Sequence, residues 1–248
     1  MNLKVFGYNG SNRGMNSIGE MYFKDVIKNL ESYYSVKSIL RDYKNTKIKV
    51  CDGCSACFDT LKFPCRDEMD SVRSELLDAD IIFLISPVYV HSVSGSMKIF
   101  LDKIALWTHL MSLSGKFVVI VSVSASNGNQ FVVDYLKSIS EYLGMLSIQE
   151  VTITELSELS KSSLEKTVNS YAKDTARRIE RLISSNDYRS LITSKHEEIF
   201  NQNKEVFASD AYKYFNKYEH EYWNEISKKY LTFDRFFAEK CKMLAEKL

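Results

Sequence analysis

Residues 80–102 read DIIFLISPVYVHSVSGSMKIFLD, and this stretch decides the fold. Its opening, 80–86, is a short continuous apolar run stopped by a proline. Such a run predicts a central strand buried on both faces. A serine-rich turn follows, and then apolar residues at helical spacing over 94–110. Strand, loop and helix in that order are one unit of a sheet covered by helices.

The same alternation continues on either side. Residues 116–122 (KFVVIVS) are a second run of this kind, and 3–8, 35–40 and 147–153 supply three more strands. Helical patterns lie between them at 15–30, 69–77 and 130–143. In the first, Ile18, Met21, Tyr22, Val26 and Leu30 step along one face. Five strands with intervening helices predict an α/β, doubly wound, five-stranded parallel sheet, with its ligand beyond the C-terminal strand ends. Past Glu155 there is no glycine or proline, and 13 of the 31 aromatic residues fall after Asp187. Phe207, Ala211, Phe215, Tyr218, Tyr222, Ile226 and Tyr230 step along one helical face. The expected division is a sheet domain over 1–155 and a helical extension over 156–248. In that extension Cys241 reads as a buried apolar residue, and Lys228, Lys229, Glu239 and Lys240 as a solvated face.

Bulk properties exclude several classes of function. Thirty-three basic residues against 32 acidic ones give a net charge of +1, so nothing marks a nucleic-acid or anionic-membrane binder. The longest apolar runs, 81–85 and 117–121, are far too short to span a bilayer. The N-terminus, MNLKVFGYNGSNRG, lacks the apolar run of a signal peptide, and a cytoplasmic location is expected.

Three loops carry chemistry. Residues 10–17 (GSNRGMNS) join the first strand to the first helix, where unpaired backbone N–H groups, hydroxyls and a guanidinium suit a phosphate. Taken alone, the loop reads equally as a polar turn with an N-cap. The second loop is 86–97, after the central strand; its His91 reads either as a proton donor or as a solvated side chain. The third is 122–130 (SVSASNGNQ). A further cluster places Cys51, Cys54, Cys57 and Cys65 at C-x2-C-x2-C-x7-C, a spacing that can wrap a four-iron cluster or a zinc ion. In a reducing compartment it reads as metal or redox chemistry before disulfides.

The motif SPVY at 86–89, SVSG two residues later and K-x-F-L-D at 98–102 are specific. With Gly10-Ser-x-Arg before the first helix, they resemble the NAD(P)H-dependent FMN reductases and iron–sulfur flavoproteins of the flavodoxin-like superfamily. The resemblance covers 3–153. It implies FMN, with Ser11, Arg13, Asn16 and Ser17 at its phosphate and Pro87, Val88, Tyr89 and Val90 along its ring. It places Ser124, Ser126 and Asn127 at the pyrimidine edge. Relatives carry an aromatic residue and glycine where this chain has Val90 and His91, and a threonine where it has Ile18. The resemblance also implies NAD(P)H as co-substrate, a small-molecule electron acceptor or redox protein as partner, and a homodimer or homotetramer. Two kinds of electron traffic stay open. One is a cluster-free or zinc-bearing reductase moving hydride equivalents. The other is an iron–sulfur flavoprotein electron carrier with a 4Fe-4S cluster on Cys51, Cys54, Cys57 and Cys65.

Overall fold

In the computed structural model, residues 2–13, 17–64, 67–158, 160–241 and 243 are described. Strands β1 (Asn2–Asn9), β2 (Ser35–Asp42), β3 (Ile81–Pro87), β4 (Phe117–Ser124) and β5 (Leu146–Thr154) pair in parallel, in the order β2-β1-β3-β4-β5. This is the flavodoxin-like order, whose direction reverses between β1 and β3. Every residue of β4 is buried, as are six of the seven in β3, because helices cover both faces.

Alternation along these strands sorts the core into two layers. Ile82, Leu84, Val118 and Ile120 face α3 (Met69–Asp78), α4 (Gly95–Asp102), α5 (Ala105–Leu110) and α6 (Asn129–Tyr142). The short α2 (Ala56–Thr60) lies outside that layer. Ile81, Phe83, Val119 and Val121 face the other way, toward α1 (Ile18–Leu30) and α7 (Lys161–Ser185). In α7, Val168, Ala172, Ala176, Ile179 and Ile183 recur at helical spacing and join the same cluster as Leu3 and Val5. The apolar core therefore runs straight across residue 155.

The single helix expected over 94–110 is two helices. Its axis breaks at Lys103 and Ile104, where Lys103 turns inward to pair with Asp67 at 3.1 Å. The face expected over 207–230 is also corrected. Helix α8 (Ser194–Phe207) ends and a 3-10 turn at Tyr212–Tyr214 intervenes before α9 (Lys217–Lys229). Phe215 is therefore 85% exposed, whereas Trp223 is fully buried against Phe200 and Phe236. Helix α10 (Phe233–Lys240) completes that aromatic layer. Without glycine or proline, polar caps divide these helices. Asn186 closes α7 in the left-handed region at φ 56°. Thr193 boxes α8 with His196, Asn216 accepts from the Tyr218 and Glu219 N–H groups, and Thr232 opens α10.

Cys241 is buried as expected, and Lys228 and Lys229 are on the surface. Lys240 departs from the solvated face. Its Nζ lies 4.2 Å from the Phe236 ring centroid and donates to the Tyr222 hydroxyl at 3.3 Å. Burial pushes its ammonium down to about 8 against the pull of Glu239.

Candidate functional site: the crevice between β1 and β3

The two strands at the switch point send their helices to opposite faces, which opens a cleft between them. Counted outward through its open mouth, it takes in about 540 Å3 of space. One end is polar and the other apolar.

The polar end is built on Asn9, which is fully buried at the tip of β1. Its Nδ2 donates to Ser17 Oγ at 2.8 Å, and its Oδ1 accepts from the Ser11 N–H at 3.1 Å. Ser17 also caps α1 by accepting from the Glu20 N–H at 3.2 Å. With both lone pairs engaged, the Ser17 hydroxyl keeps its proton to donate outward. Ile18 and Gly19 line the cleft, at the helix end where backbone N–H groups want an outside acceptor. Only glycine allows that approach, since a Cβ on Gly19 would stand 2.4 Å from Ile85 Cγ2. Arg13 lines the same end, 3.4 Å from Glu155 Oε1.

Ile85, Pro87, Val88, Tyr89, Val123 and Ala125 form the apolar end. Val88 is tied to β4 by its N–H to Val123 O at 2.8 Å, so the SPVY segment extends the sheet as a flat wall. A flavin phosphate fits this division. Donors gather where the phosphate would sit, and an apolar slot lies where the ring would sit.

The cleft thus brings together Ser11, Arg13, Ser17, Pro87, Val88 and Tyr89. Asn16 lies outside the described residues. Val90 is wholly exposed and is not part of the lining. Ser124 is buried, with its hydroxyl accepting from Asn129 Nδ2 at 2.8 Å. Ser126 is exposed, and Asn127 Oδ1 pairs with His91 Nε2 at 3.1 Å. From that loop it is Ala125 that reaches the cleft. Sequence reading passed over Asn9 and Glu155. The first is hidden inside a strand, and the second arrives from the end of β5, held by the Leu156 N–H to Ala125 O at 2.9 Å.

A second cavity, of about 530 Å3, is lined by Cys51, Cys54 and Cys57 together with Phe58, Phe63, Arg73 and Lys103. Cys51 and Cys54 are exposed and Cys57 is partly buried, where burial pushes its thiol up. The Cys54 thiol and N–H hold the Asp52 carboxyl below the usual range. Burial alone would raise the Asp67 carboxyl, but the Lys49 N–H, Lys103 and the Met69 N–H outweigh it and the net shift is downward. Helix α2 buries no residue and is bracketed by Ser55 and Leu61, both left-handed at φ 58° and 51°. The extension reaches this loop, with Asn216 Nδ2 donating to Phe58 O at 2.7 Å. Cys65 lies outside the described residues. Among the described residues no three His, Cys, Asp or Glu side chains are gathered to hold a metal ion.

With this geometry established, residues 3–158 match the family model described as NADPH-dependent FMN reductase. The chain belongs to that family. Among curated proteins, it is 28% identical over 148 residues to an iron–sulfur flavoprotein of Archaeoglobus fulgidus, covering 59% of this chain and 66% of that one. Another iron–sulfur flavoprotein, from Methanocaldococcus jannaschii, is 28% identical over 129 residues, or 52% and 66% of the two chains. The chain therefore spans just under two thirds of the length of these relatives. Among solved structures, RosB with a bound 8-demethyl-8-formylriboflavin-5'-phosphate superposes with a TM-score of 0.57 at 13% identity, over 84% of this chain and 88% of that one. An FMN-dependent NADH-azoreductase from Bacillus anthracis, in complex with FMN, gives 0.54 at 14% identity, over 71% and 99%. At those identities the likeness is one of fold.

Proposed function

We propose that this protein is an FMN-dependent oxidoreductase that draws electrons from NAD(P)H and delivers them to a small-molecule acceptor or a redox partner. The observation that carries this is the cleft's polarity: a donor-rich pole at the head of α1, joined to the flat apolar wall 87–89. FMN supplies the hydride and electron chemistry when bound. The chain's own part is positioning. Ser17 donates its hydroxyl to the phosphate while Asn9 fixes the orientation of that hydroxyl. Arg13 adds charge, and Glu155 holds its guanidinium at the cleft. Pro87, Val88 and Tyr89 keep water from one face of the ring. Ser11 and Asn16 complete the proposed phosphate loop. Ser124, Ser126 and Asn127 act on the ring end through the β4 loop that sets Ala125, and Val90 through the turn that follows Tyr89.

A second reading is favoured by one observation: Cys51, Cys54 and Cys57 open onto one cavity beside Arg73 and Lys103. With Cys65, these residues would hold a 4Fe-4S cluster, consistent with the names of the curated relatives. The protein would then pass single electrons. A cytoplasmic location and assembly as a homodimer or homotetramer belong to the same proposal. No helix among the described residues is long and apolar enough to cross a membrane. Exposed Tyr214 and Phe215 supply apolar surface for assembly.

The deciding experiment is titration of FMN into protein stripped of flavin, followed by quenching of flavin fluorescence, with iron and acid-labile sulfide assayed on protein prepared without oxygen. Stoichiometric FMN uptake supports the flavin reading, and its absence overturns it. About four irons per chain establish the cluster; flavin without iron leaves the hydride-transferring reductase.

A further inference from the structure

Beside the apolar end of the cleft stands an aromatic pair outside the flavin-lining set. The His91 ring stacks on Phe131 with centroids 5.1 Å apart and planes at 18°. Both residues are exposed, Phe131 at 58%. Phe131 thus keeps more than half of its surface open on α6 while its ring lies against an imidazole.

The surrounding structure is built to hold the pair. Tyr89 and Ser92 exchange backbone hydrogen bonds of 3.0 Å in both directions, closing a two-residue turn on Val90 and His91. Such a turn needs left-handed backbone at both central positions and is ordinarily made by Asn-Gly. Here a β-branched valine and a histidine take φ 50° and 54°. Strain of this kind persists only where neighbours over-determine it. They do so here. Asn127 Oδ1 pairs with His91 Nε2 at 3.1 Å. Gly128, at φ 86°, leaves out the Cβ that would meet both His91 Cδ2 and Val88 Cγ1 at 2.8 Å. The His91 ring and the cleft-lining Val88 are thus neighbours across that missing methyl, and the pair continues the cleft's apolar wall outward.

We propose that His91 and Phe131 form a stacking platform that holds a planar aromatic electron acceptor at the cleft mouth and sets the preference for flat over compact acceptors. This rests on the flavin reading above and adds specificity-determining residues to it. With menadione as the probe, the overall step is NADPH + H+ + menadione giving NADP+ and menadiol. The quinone gains two electrons and two protons, as one hydride equivalent from NADPH and one proton from solvent.

The test compares menadione with ferricyanide, a compact octahedral acceptor with no face to stack, in FMN-loaded wild type, Phe131→Ala, His91→Ala and His91→Phe. One aromatic stack corresponds to about two- to twelvefold in binding. The ratio of kcat/KM for menadione to that for ferricyanide is expected to fall by about that factor in Phe131→Ala and His91→Ala, through KM, and to return in His91→Phe. FMN affinity, measured by fluorescence quenching, is expected to stay within about twofold of wild type. An unchanged ratio in both alanine variants overturns the platform, and so does an equal loss for both acceptors. A wild-type chain that takes up no FMN overturns the flavin reading itself, a result visible before any acceptor is added.

Discussion

The flavin cleft and the cysteine cavity are of nearly equal size, yet they are built in opposite ways. Around the cleft, polar groups are buried and partnered: Asn9 is fully enclosed, Ser17 caps a 13-residue helix, and the wall at Val88 is bonded to β4. Around the cysteines, a five-residue helix buries nothing, two left-handed residues bracket it, and two of the thiols face solvent. The first site is shaped before its ligand arrives. The second is anchored by the buried pair Lys103–Asp67 and by the Asn216 bond to Phe58 O, and otherwise keeps a conformation that a ligand could still reset.

The largest expected effect tests that anchor. Lys103→Met strands the Asp67 carboxylate, at about 3–5 kcal/mol. Thermal unfolding should fall by roughly 6–20 °C at neutral pH. The folded Asp67 carboxyl lies below its ordinary value of 3.8, so its contribution is complete above that value and is lost as pH falls through the depressed one. The gap between wild type and the variant should therefore narrow in acid. A gap that is flat with pH would mean the loop is not anchored through this pair.

Next in size is Ser17→Ala, which removes both a helix cap, at about 1 kcal/mol, and a phosphate donor. FMN affinity should drop about tenfold while riboflavin affinity changes little. Equal losses for the two flavins would mean that the α1 end of the cleft is shaped but is not the phosphate pole. The smallest effect is expected from Ser55→Gly. Relief of a left-handed serine should stabilise the protein by up to about 1 kcal/mol in chemical denaturation. No change would show that the cysteine loop holds no single conformation without its ligand, which would widen the contrast between the two sites.

How much of this was legible in sequence depended on range. The strands could be read because a sheet covered on both faces writes itself as apolar runs such as 81–85 and 117–121. Ser11, Arg13, Ser17 and the SPVY segment were legible because each loop follows its strand directly. The break at Lys103 was hidden, since its cause is an aspartate far away in sequence. Division of the extension was hidden for another reason. Asn186, Thr193, Asn216 and Thr232 end or start helices by side-chain bonds, and these residue types also occur within solvated helical faces. Glu155 reaches Arg13 only through the fold, and Phe131 owes its place to a turn whose residues, Val-His, lack the usual turn signature.

The core that passes unbroken across residue 155 has a consequence for how the protein is made. A ribosome releases β1 to β5 first, but one face of that sheet waits for Val168 to Ile183 of α7, and then for Phe233, Phe236 and Phe237 of α10. At roughly 5–20 residues per second, several seconds separate the last strand from its full cover. During that interval the nascent chain presents an apolar sheet face that a chaperone can hold. The face opposite the cysteine cavity is closed only after the C-terminal helices have emerged.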